Sequence, residues 1–134
     1  MRQTRQIMVG TVAIGGGAPV SIQSMTNTLT SDAQATLAQI QRLAALGCDL
    51  ARVAVPSQAE ISSLSEICLA SPLPVIADIH FDYRLALASI DAGASCIRLN
   101  PGNVKNESYV RQVARAARDA GCAVRIGVNG GSLA

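Results

Sequence analysis

Three times in this chain a glycine closes a helix-periodic segment and a β-prone run carrying an arginine follows at once. The three boundaries are Ala45-Leu46-Gly47-Cys48, Asp91-Ala92-Gly93-Ala94 and Asp119-Ala120-Gly121-Cys122. Each glycine stands where a left-handed residue ends a helix. The same alternation runs through most of the chain. Residues 20–25, 50–55, 75–80, 96–100 and 123–129 read as strands, and 32–46, 57–70, 82–92 and 106–120 as helices. The helices have apolar faces at Leu37, Ile40 and Ala44, at Ile61, Leu64 and Cys68, and at Val110, Val113 and Ala117. Ser57 and Glu60 predict a capping box at the second helix. Strict alternation with short connections implies a parallel sheet, either doubly wound or a (β/α)8 barrel.

The two faces of the strands decide between these. Successive side chains point to opposite faces. One face collects Ala51, Val53, Val55, Val75, Ala77, Ile79, Ile97, Leu99, Val124, Ile126 and Val128, and packs on helices. The other collects Arg52, Ala54, Asp78, His80, Arg98, Asn100, Arg125, Gly127 and Asn129, with its polar residues crowded toward the strand ends. A doubly wound sheet buries both faces and carries nearly continuous apolar strands. A barrel opens its interior at the C-terminal mouth and accommodates the charges there. The expected fold is therefore α/β, a partial (β/α)8 TIM-type barrel of about five strands and four helices. An N-terminal β-hairpin precedes it, from residues 6–9 and 11–14 around Gly10. The following Gly15-Gly16-Gly17 lacks both the P-loop lysine and dinucleotide spacing. Closure of such a barrel takes eight strands and about 250 residues. Residues 1–134 are thus expected to be the N-terminal part of a larger barrel domain, with open strand edges that favour self-association.

Composition narrows the function classes. Hydrophobic residues make up 49% of 134, enough for a packed core, while the formal charge of +2 is too small for a nucleic-acid footprint. One Phe, two Tyr and no Trp leave little for bases to stack on. Neither a secretory apolar region nor a membrane-length apolar run is present, so the expected compartment is the cytoplasm. Cys48, Cys68, Cys96 and Cys122 are widely spaced with no C-x-x-C pair, and read as small buried hydrophobes.

Three inward arginines facing one aspartate leave the mouth positively charged. The planar guanidinium fork suits phosphate oxygens, so Arg52, Arg98 and Arg125 are read as an anion grip. The alternative is that they pair with Asp78 and with carboxylates from the rest of the barrel. Asn100-Pro101-Gly102-Asn103 forms a turn whose backbone N–H groups could converge on an anion beside Arg98. His80 is a candidate proton donor, hydroxyl partner or metal ligand; substrate hydrogen bonding is favoured, because metal sites need several ligands and this is the sole histidine.

Several stretches closely resemble the 4-hydroxy-3-methylbut-2-en-1-yl diphosphate synthase family of the non-mevalonate isoprenoid pathway. They are Val20-Ser21-Ile22-Gln23-Ser24-Met25-Thr26-Asn27-Thr28, Ala77-Asp78-Ile79-His80-Phe81-Asp82-Tyr83-Arg84-Leu85-Ala86, Arg98-Leu99-Asn100-Pro101-Gly102-Asn103 and Arg125-Ile126-Gly127-Val128-Asn129. The resemblance implies a reductive ring opening of 2-C-methyl-D-erythritol 2,4-cyclodiphosphate, with two electrons delivered by flavodoxin or ferredoxin through a 4Fe-4S cluster. It implies that Arg52, Arg98, Arg125, Asn100 and Asn129 bind diphosphate and substrate, and that Asp78 and His80 partner its hydroxyl groups. It also implies a homodimer and a cluster domain beyond Ala134, whose ligands none of the four cysteines here matches. The chain alone is then expected to be inactive. Two other readings remain open: a catalytically silent phosphate-binding half-barrel, and another phosphate-handling barrel such as a pterin-binding synthase.

Overall fold

The computed structural model describes residues 2–80, 82–102 and 106–128. A two-stranded antiparallel hairpin comes first, β1 (Ile7–Val9) and β2 (Val12–Ile14), with Ile7 opposite Ile14 and Val9 opposite Val12. Strand and helix then alternate: β3 (Gln23–Met25), α1 (Ala33–Ala45), β4 (Leu50–Val55), α2 (Ile61–Ala70), β5 (Val75–Ile79), α3 (Tyr83–Asp91), β6 (Cys96–Leu99), α4 (Glu107–Ala120) and β7 (Ala123–Ile126). The five later strands form one sheet in sequential order, parallel throughout. Together with the helices on its outer face, this is a partial α/β barrel.

Side chains close the helix starts. Asp32 accepts from the Ala35 N–H at 3.1 Å, Asp82 from Arg84 at 2.9 Å and Asn106 from Ser108 at 2.9 Å, satisfying donors that a helix leaves unpaired. At the other ends Gly47, Gly93 and Gly121 take φ of 98°, 102° and 68°, a conformation that side-chain-bearing residues rarely adopt. The expected capping box takes a different form. Residues Gln58–Glu60 make a 3-10 turn before α2, and the Ser57 hydroxyl donates to the Glu60 carboxylate instead of capping a backbone N–H.

The main core lies between sheet and helices. Ala51, Val53, Val55, Val75, Ala77, Ile79, Ile97 and Leu99 pack there against Ile40, Leu64, Ile67, Leu85, Ile90, Val113 and Ala117. Two face assignments shift: Ile67 is fully buried while Cys68 is half-buried, and Val110 is exposed. Ile126 and Val128 are also exposed, because β7 is an edge strand. The first strand is shorter than expected, and Val20 is 94% exposed beside the opposite edge. At the mouth end of the helices, Tyr83 and Tyr109 stack with ring centroids 3.9 Å apart, joining α3 to α4.

A second, smaller core lies inside the curl of the sheet. Leu50, Ile76 and Cys96 start their strands on the inner face, and Val9 of the hairpin is buried against them, with Val12, Ile14 and Ala123 alongside. The hairpin therefore plugs the N-terminal end of the arc. What it leaves open is the C-terminal end.

Candidate functional site

Register fixes the polar row at that open end. Ala54, Asp78, Arg98 and Arg125 are neighbours across four adjacent strands, and residues paired in a parallel ladder face the same way. The apolar layer of Leu50, Ile76 and Cys96 lies below this row. Asp78 is 3% exposed. Both its oxygens are used: Oδ2 accepts from Arg52 Nη2 at 2.6 Å and Nε at 3.1 Å, and Oδ1 from Arg98 Nη1 at 3.3 Å. Arg52 pairs in register with Ile76, yet its side chain reaches up the wall to Asp78.

Arg125 is placed differently. It is exposed, and its Nη1 donates to Gln23 Oε1 at 3.2 Å across the inside of the arc, between residues 102 apart in sequence. The two line a cavity of about 320 Å³ together with Val9, Ile76 and Cys96. Among the described residues, three guanidinium groups therefore share one carboxylate and one neutral amide, leaving two formal positive charges on this part of the wall. A planar fork already aligned by a carboxylate presents its remaining N–H groups to an anion with little further ordering.

Asn100, 4% exposed, follows β6; its Oδ1 accepts from the Gly102 N–H at 3.0 Å. That bond ties the side-chain carbonyl to the turn and so fixes the orientation of the amide. His80 is half-buried directly after β5. Asn129 lies outside the described residues, as does Asn103 of the predicted turn. The loop from β3 to α1, which forms part of the rim, is tied down by its own polar residues. Thr30 Oγ1 donates to the Ala54 carbonyl at 2.6 Å, Thr28 and Thr36 share a hydroxyl bond of 2.7 Å, and Gln39 grips Asn27 through two bonds.

Residues 4–134 match the GcpE TIM-barrel domain family. The chain belongs to that family. Among curated GcpE relatives, a 4-hydroxy-3-methylbut-2-en-1-yl diphosphate synthase (flavodoxin) from Zymomonas mobilis is 56% identical over 132 residues, covering 98% of this chain and 35% of the relative. Proteins of the same name from Granulibacter bethesdensis and Salinispora tropica are 55% and 57% identical, again over 98% of this chain and 34% of their own lengths. The chain thus spans about a third of the curated relatives it matches. Among solved structures, MenC from Desulfotalea psychrophila superposes with a TM-score of 0.62 at 20% identity, covering 83% of this chain and 32% of that one. Mandelate oxidase superposes at 0.61 with 16% identity, over 82% and 43%. At such identities these two likenesses concern the barrel fold alone.

The iron–sulfur cluster that the resemblance implies does not fit the cysteines present. Among the described residues no group of three or more His, Cys, Asp or Glu is arranged to hold a metal ion. Burial pushes the Cys68, Cys96 and Cys122 thiols up to about 11, whereas a cluster ligand is a thiolate. Among the described residues no helix is long and apolar enough to cross a membrane.

Strand parity puts Gly127 on this inward face without a role, and Gln23 of the GcpE wall escapes the sequence reading. Gln23 follows from extending strand parity to β3, since it is the register partner of the inward Leu50. Gly127 carries no side-chain signal at all; its importance lies in what passes beside it.

Proposed function

We propose that the chain forms the substrate-binding wall of a 4-hydroxy-3-methylbut-2-en-1-yl diphosphate synthase, holding 2-C-methyl-D-erythritol 2,4-cyclodiphosphate while two electrons open its ring. The observation that carries this reading is the convergence of Arg52 and Arg98 on Asp78, with Arg125 beside them, at the open end of a barrel wall. Within the reading, the three guanidinium groups grip the diphosphate, and Asn100 and Asn129 add polar contacts. Asp78 and His80 hydrogen-bond the hydroxyl groups of the carbon skeleton. The two positive charges left among the described residues favour an anionic ligand, and a site backed by an apolar layer strengthens each ionic hydrogen bond.

The relatives are named as flavodoxin-dependent, which favours flavodoxin as electron donor. On this reading the 4Fe-4S cluster, its ligands and the second subunit of a homodimer belong to protein beyond these residues, in the cytoplasm.

Calorimetry on the full-length protein tests the reading. The cyclodiphosphate binds and a pterin diphosphate does not. Arg98→Ala weakens binding by at least about tenfold, as expected when a charge-assisted hydrogen bond worth ~1.5–3 kcal/mol is lost. Absence of cyclodiphosphate binding by the unmodified protein overturns the reading.

A further inference from the structure

Arg98 reaches Asp78 with one edge of its guanidinium group, Nη1 lying 3.3 Å from Oδ1. The opposite edge, Nε and Nη2, faces Gly127 just past β7. A Cβ added at Gly127 would stand 2.8 Å from Arg98 Nε, 3.3 Å from Nη2 and 3.5 Å from Cζ. The first distance is too short for real atoms to keep, so something must move. Position 127 itself is held: its N–H donates to the Leu99 carbonyl at 2.9 Å, continuing the β6–β7 ladder. Its φ lies outside the left-handed region, so the backbone tolerates an L side chain there. The element that yields is the far end of the Arg98 side chain.

We propose that Gly127 is a positioning residue for the anion grip: its missing Cβ leaves the space that the Nε–Nη2 edge of the Arg98 guanidinium occupies just past β7. The proposal rests on the proposed function in taking Arg98 to be a phosphate ligand. It adds a residue that touches no substrate and acts only by setting where the fork points. Bidentate recognition depends on the plane and direction of that fork, so a displacement of a few tenths of an ångström lowers affinity while leaving the charge in place.

The test is a double-mutant cycle on the full-length protein with wild type, Gly127→Ala, Arg98→Lys and the double variant. Dissociation constants are measured for the cyclodiphosphate and, separately, for inorganic pyrophosphate. Gly127→Ala weakens binding on the order of tenfold, with Tm unchanged to within about 2 °C. In the Arg98→Lys background the same change moves the constant by less than about twofold, because a lysine has no guanidinium edge in that space. Wild-type affinity in Gly127→Ala, or an equal loss in both backgrounds, overturns the proposal. A sharp fall in Tm for Gly127→Ala is met with Arg98→Ala added to it. Recovery of Tm supports the clash with Arg98, and lack of recovery overturns it. A wild type that binds pyrophosphate but not the cyclodiphosphate defeats the proposed function and leaves the cycle readable with pyrophosphate. A wild type that binds neither anion overturns both.

Discussion

Asp78 is the residue on which the inner wall depends. Its carboxylate lies between two guanidinium groups in a largely buried setting, so its removal leaves two charges facing each other with no counter-ion. Asp78→Asn is expected to destabilise the fold by about 3 kcal/mol, measured as a shift in the urea midpoint, because an uncompensated buried charge costs more than the pair contributes. The buried thiols set a second expectation. Cys68, Cys96 and Cys122 are raised from an ordinary 9.0 to about 11, so the folded chain keeps protons that the unfolded chain has released. That stabilisation is complete below pH 9 and is lost as pH rises toward 11. Urea midpoints at pH about 8 and about 10.5 check this; equal midpoints contradict it. Strand parity made the inward direction of Arg52, Asp78, Arg98 and Arg125 legible from sequence. It did not reveal that Arg52 climbs from the Ile76 row to Asp78, because the stagger between strands has no signature in either strand alone.

The helices show the same division between pattern and partner. Helix-ending glycines and the Asp32, Asp82 and Asn106 caps lie where local chemistry puts them, since a cap needs only its own next few residues. Thr36, fully buried in α1, could not be read as core: its hydroxyl is satisfied by Thr28 and the Leu29 carbonyl, partners that only the folded loop supplies. Ile67 and Cys68 both border the apolar stripe of α2, and hydropathy does not say where the stripe's centre meets the sheet. Helix α3 carries one defect. Ser89 is fully buried, and among the described residues its Oγ is the buried side-chain polar atom without a hydrogen-bond partner. Ser89→Ala is therefore expected to stabilise the chain by about 1 kcal/mol, raising Tm in a thermal scan, since an unsatisfied hydroxyl retains its desolvation cost. A lower Tm points to a partner for that hydroxyl.

Across the whole molecule, the period of alternation made the barrel class legible, and the charged face excluded a doubly wound sheet. Both are properties that any run of strands displays without knowing its neighbours. The curl of the arc was not legible: the Gln23–Arg125 bond joins the first and last strands of the sheet, and only closure in space brings them together. Strands β3 and β7 are edges, with Val20, Ile22, Ile126 and Val128 exposed along them. Unpaired edges with apolar surroundings recruit further strands. The 134-residue chain expressed alone is expected to self-associate at micromolar concentration, seen by sedimentation velocity; a monodisperse monomer contradicts this.

The hairpin plug carries a consequence for the order of folding. Two short strands joined by a tight turn form on the order of microseconds, before any long-range pairing. Val9, however, becomes buried only when Leu50, Ile76 and Cys96 have been brought side by side, which requires three βα units to be in place. The first segment of the chain is thus ready early and seated late. Its contribution is therefore expected on the unfolding side of the barrier, slowing escape from the native state without hastening entry.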